Sequence, residues 1–107
     1  MAAPPVTLKP GITSQVAIGG TAVVVIPSGP NGGYIINPQL GQDQGIGLVP
    51  EELTLDPITS PGAGPGFGNG TAVNLQPGQR WNVIPGQTTP ISVNAVSSGH
   101  KFTCVWY

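Results

Sequence analysis

Apolar and polar positions alternate most clearly near the C-terminal end of the chain, where Ser92 and Asn94 separate Ile91, Val93 and Ala95. A period of two sends successive side chains to opposite faces, so this run predicts a strand with one buried face. The same pattern organises the whole stretch from Leu75 to Tyr107. Two Pro-Gly-Gln triplets, starting at Pro77 and Pro85, bracket the β-forming run Arg80-Trp81-Asn82-Val83-Ile84. Proline presets φ for the first corner of a turn, and glycine accepts the positive φ of the second. With the run from His100 to Trp106, this third of the chain reads as three antiparallel strands. Phe102, Cys104 and Trp106 recur at period two. Together with Trp81, Ile91 and Val93 they are the expected core.

Upstream, residues 1–14 hold three prolines, which remove ladder donors, and read as an extended N-terminal arm. Residues 15–107 read as a single domain. Gln15 to Gly19 and Thr21 to Pro27 flank a Gly-Gly step. The second of these is a near-continuous β-branched run, which suits a strand covered on both faces or by a neighbour. Tyr34 to Asn37, Ile46 to Val49, Leu53 to Leu55 and Thr71 to Leu75 are further short strands. Ser28 to Gly33, Gln39 to Gly45 and Ser60 to Gly70 are long polar or glycine-rich loops. Turn signals recur roughly every 8–12 residues, the spacing of a sandwich or barrel. The expectation is all-β: a small antiparallel β-sandwich, jelly-roll-like, with about seven to nine short strands and no helix.

Composition sharpens this picture. The 17 glycines and 13 prolines would fit a disordered chain, but Leu, Ile, Val and Phe number 28 and the net charge is only -1. The glycines and prolines therefore punctuate strands. Only 7% of residues are charged, against about 25% in ordinary soluble domains. Thr, Ser, Asn and Gln carry the polarity instead. A neutral polar surface costs less to desolvate, which suits one covered by protein, although small extracellular β-domains share this composition. Three cations cannot make the phosphate footprint of nucleic-acid binding. No apolar run reaches the ~18 residues of a membrane span. The N-terminus has no charged segment or hydrophobic stretch of a signal peptide, and one cysteine excludes an internal disulfide. Both suit cytosolic synthesis.

Candidate chemistry is sparse. His100 lies near Ser97, Ser98, Lys101 and Cys104, but in a strand His100 and Cys104 stand ~13 Å apart. A Ser98–His100 pair has no obvious acid to orient it. The carboxylates Asp43, Glu51, Glu52 and Asp56 lack the spacing of a calcium loop, and a glycosidase pair among four acids is improbable. The glycine loop lacks the Lys-Ser/Thr ending of a phosphate loop. Asn69-Gly70-Thr71 matches a glycosylation acceptor but reads as a turn without a secretory signal. Trp81, Trp106, Tyr34 and Tyr107 could form a sugar-stacking plate, though a small β-core uses the same aromatics. No enzyme and no cofactor are expected.

The segments Gly29-Pro30-Asn31-Gly32-Gly33-Tyr34-Ile35, Asn37-Pro38, Asp43-Gln44-Gly45, Leu75-Gln76-Pro77-Gly78-Gln79-Arg80-Trp81, Pro85-Gly86-Gln87-Thr88-Thr89, Val93-Asn94-Ala95 and Ser98-Gly99-His100-Lys101-Phe102 resemble small all-β virion proteins of tailed bacteriophages. Those act as capsid decoration, or cement, proteins. The resemblance implies a partner, the major capsid protein, and a place on the outer capsid surface after synthesis in the bacterial cytoplasm. It also implies self-association, for instance as a homotrimer. No nucleic acid and no membrane are expected as partners. Loop residues Pro30, Asn31, Phe67 and Asn69 are the expected interface contacts. The rival readings are a carbohydrate-binding, head-fibre or tail-associated β-module of the virion, and a small hydrolase, which demands a pocket joining His100 to a carboxylate.

Overall fold

The computed structural model describes residues 12–58 and 72–107. Among them the strands are β1 (Ile12–Val16), β2 (Val23–Ile26), β3 (Gly33–Ile36), β4 (Leu53–Asp56), β5 (Val73–Leu75), β6 (Arg80–Asn82), β7 (Ile91–Asn94) and β8 (His100–Trp106). They form two four-stranded antiparallel sheets, ordered β1-β8-β3-β6 and β2-β7-β4-β5. The pairs β1–β8, β2–β7, β3–β6 and β4–β5 nest within one another. The chain is therefore one long hairpin with its bend between β4 and β5, rolled so that successive strands fall in alternate sheets except for β4 and β5, which pair with each other at the bend. That wiring is a jelly-roll sandwich.

The core lies between the sheets. Ile91, Val93 and Ala95 from the alternating run are buried there, with Phe102 and Cys104 from β8. Val16, Ile26, Ile35, Leu53, Leu55, Leu75 and Val83 complete it. Register explains the selection: Ile35 pairs with Cys104 on one side and Trp81 on the other, so all three share the inner face. Trp81 and Trp106 are only partly buried and pack against the rim of the core.

Both Pro-Gly turns form as expected. Gln79 N donates to the Gln76 carbonyl at 2.9 Å and Gln87 N to the Ile84 carbonyl at 3.2 Å. Gly78 and Gly86 take φ of 86° and 75° at the third turn position, which only glycine adopts without strain.

Several expectations change. The last third does contain three strands, but they are not neighbours: β7 lies in the second sheet, and β3 separates β6 from β8. β1 begins at Ile12, inside the stretch read as an arm, and residues 1–11 lie outside the described ones. The run Thr21 to Pro27 is not covered on both faces. β2 is a sheet edge with Val23 and Val24 exposed, and a bulge after Val24 twists it. Ile46 to Val49 is not a strand: Leu48 is 88% and Val49 77% exposed. Within the segment read as polar loop, Gly41–Gln44 makes one helical turn, α1, closed by Gly45 in the left-handed region. Four residues are too short for any helical period to be legible.

Candidate functional site

The hairpin wiring gathers the loops at two opposite ends of the sandwich. One end holds residues 27–32, 57–58, 83–90 and the chain's last residue. Main-chain hydrogen bonds tie it together: Gly29 N to the Gln87 carbonyl and Gly86 N to the Pro30 carbonyl, both at 2.7 Å, and Asn31 N to the Tyr107 carbonyl at 2.6 Å. The Gln87 side-chain amide donates to the Pro57 carbonyl. These bonds hold the turn after β6 against the turn before β3, so the end is a stiff platform. Ile58 and Ile84 stand out from it, 62% and 60% exposed. Of the expected contact residues, Asn31 is exposed here, whereas Pro30 is buried beneath the platform. Phe67 and Asn69 lie outside the described residues.

The other end holds residues 17–22, 37–52, 76–79 and 95–99. Ile18, Leu40, Leu48, Val49 and Val96 are exposed there. The loops Ser28 to Gly33 and Gln39 to Gly45 thus sit at opposite ends of the sandwich.

Beneath this second end lies a polar node that the sequence did not reveal. Asn37 follows β3, and its side-chain amide nitrogen donates to the carbonyls of Glu51 (2.9 Å) and Leu75 (3.0 Å). The Gln44 amide nitrogen reaches Asn37 Oδ1 at 3.0 Å and the carbonyls of Pro38 and Glu51, while Gln44 Oε1 accepts from Glu51 N at 2.9 Å. Ser97 Oγ donates to Glu51 Oε1 at 2.7 Å. His100 Nε2 meets Asn37 Oδ1 at 2.9 Å. Asn37, Gln44 and His100 are fully buried. Because the Asn37 nitrogen faces two carbonyls, its Oδ1 is the acceptor and His100 Nε2 carries the proton. Burial pushes the His100 pKa below 6.5, with a smaller opposite pull from Glu51.

This arrangement joins the two sheets, and among the described residues it sets no nucleophile against a base. Ser98 Oγ accepts from Gly19 N, and His100 Nε2 is committed to Asn37. Cys104 faces the core, and burial pushes its pKa up to about 11, which keeps the thiol protonated. Asp56 Oδ1 accepts from Ile58 N, and Glu52 Oε2 accepts from Gln76. Among the described residues no three His, Cys, Asp or Glu side chains come together to hold a metal ion. None of the described helices is long and apolar enough to cross a membrane.

The aromatic residues do not form a single plate. Ile35 pairs with Trp81 on the inner face, so Tyr34, one residue earlier, lies on the outer one. There the Arg80 guanidinium stacks over its ring, 4.8 Å from the centroid. A depression of about 170 Å³ on the second sheet, lined by Thr54, Asp56, Ser92 and Asn94 among others, is smaller than the ~300 Å³ of the smallest usual ligand pockets. No family model matches the chain, and neither a curated protein nor a solved structure does.

Proposed function

We propose that this protein is a structural binding module of a tailed-phage virion, a decoration protein that docks on the outer face of the major capsid protein lattice and stabilises the head. One observation carries the reading: exposed aliphatic side chains stand at both ends of a stiff sandwich, Ile58 and Ile84 at one, and Ile18, Leu40, Leu48, Val49 and Val96 at the other. Apolar patches at two ends suit a bridge between neighbouring subunits. A chain with 7% charged residues offers a neutral surface that is cheap to desolvate. Jelly rolls serve capsid and lectin domains alike, so the fold alone is only an analogy. Such a protein acts by mass action: binding the assembled lattice but not free subunits stabilises the lattice by the free energy of its contacts.

The test is co-sedimentation of the purified protein with phage heads that lack it. Wild type should pellet with the heads and raise their disruption temperature. Ile84→Ser and Leu48→Ser, each altering one end, should both bind less without losing fold. Because the contacts are apolar, affinity should change less than about tenfold, or ~1.4 kcal/mol, between low and high salt. Failure to sediment with heads, combined with specific retention on glycans, would instead favour the carbohydrate-binding reading.

A further inference from the structure

Residues 37–52 cross from the end of β3 in one sheet to the start of β4 in the other, and apolar burial does little to hold them. Leu40, Leu48 and Val49 are exposed. The connection is instead fastened by side-chain amides. Asn37 and Gln44 both donate to the Glu51 carbonyl, and Gln44 Oε1 also accepts from the Glu51 backbone N–H. This fastening meets β8 through His100, whose Nε2 proton goes to Asn37 Oδ1.

We propose that residues 37–52 form an acid-sensitive latch, held closed by neutral His100 through Asn37, Gln44 and Glu51, and released when His100 takes up a second proton. A second proton on the ring can go only to Nδ1. That atom is shielded from solvent and has no hydrogen-bond partner among the described residues, and Glu51 Oε2 is in the same position. The closed latch therefore cannot place the imidazolium in water, and burying that charge costs more than burying the neutral ring. Opening the connection is the route that hydrates it. The latch is weak for a structural reason, since it depends on a few amide hydrogen bonds, each of small net worth, rather than on buried apolar side chains.

The ionisable groups around His100 bear on the direction of the effect. From β1, Val16 faces it across the ladder, and that strand carries no ionisable side chain. Asp43 on α1 and Lys101 beside it on β8 are exposed, and the Lys101 stem lies near Gly45. Glu52 accepts from Gln76. Glu51 is the charge that favours the imidazolium, and burial outweighs it.

The experiment is hydrogen exchange by NMR on the intact protein across pH 7.5 to 4.5, with each rate divided by its intrinsic value. The His100 ring resonances are followed in the same samples. For the Gln44 and Glu51 amides, the open fraction should rise by up to about tenfold per pH unit below ~6.5 until the buried ring itself titrates. Amides paired between β3 and β8 should exchange far more slowly than these at every pH, their protection following global stability only. Glu51→Gln removes the charge that favours the imidazolium, so it should deepen the loss at low pH. His100→Gln retains a donor for Asn37 with nothing to titrate and should flatten the profile. Should that variant not fold, the wild-type profile decides alone. Protection of Gln44 and Glu51 that holds or rises while His100 titrates would mean the proton is shared with Glu51 inside the closed node, and the latch would be refuted.

Discussion

Replacing Asn37 with alanine removes a side chain that bonds Leu75 of β5, Gln44 of the helical turn and His100 of β8. Its loss leaves the buried Nε2 proton of His100 without an acceptor among the described residues. An orphaned buried donor costs about 1–3 kcal/mol. The carbonyls of Glu51 and Leu75 each lose a donor, at about 0.5–1.5 kcal/mol net apiece. Together these losses come to about 2–6 kcal/mol, against the ~5–15 kcal/mol that a small domain has in total. Urea unfolding followed by the fluorescence of Trp81 and Trp106 measures it. The midpoint should fall with the slope unchanged, the mark of lost stability in an otherwise similar fold. A loss under about 1 kcal/mol would mean that the Asn37 bonds are replaced without cost, and the node would not be what joins the sheets.

The remaining predictions use the same structure. Phe102→Ala empties a fully buried site and should cost about 3–5 kcal/mol, whereas Trp81→Ala, at the rim, should cost roughly half as much, both read by chemical denaturation. With its pKa near 11, Cys104 should react with a thiol reagent at pH 7.5 only as fast as the protein unfolds, so prompt labelling of the native protein would contradict its burial. His100 has a folded pKa below its unfolded value of about 6.5, so the unfolded chain binds more protons between those two pH values. Stability should therefore be complete above about pH 6.5 and decline through that window as pH falls, with His100→Gln showing a shallower decline in melting temperature.

The alternation of Ile91, Val93 and Ala95, the period of Phe102 and Cys104, and both Pro-Gly turns are local patterns, and local physics was enough to read them. A strand with one buried face needs period two wherever it sits, and a turn of this kind needs glycine at one position whatever it connects. The all-β class and the sandwich follow from those patterns and the turn spacing.

Partnership between distant segments is a different matter. Nothing in the run from Leu75 to Tyr107 shows that β3 inserts between β6 and β8, because pairing depends on how the whole hairpin rolls up. The β-branched run at β2 matched a covered strand by composition, yet it lies at an edge, where exposure is set by which strands find neighbours. Likewise Asn37 read as the end of a short strand, Gln44 as a loop residue and Glu51 as a carboxylate at a strand rim, and polar side chains at such places usually face water. Only when the sheets close does the connection from β3 to β4 lie across the end of the core, where each amide must find a partner or lose its hydration unpaired. His100 was legible as the first residue of a strand, but its neutral state was decided by burial against Asn37, through contacts more than sixty positions apart in sequence.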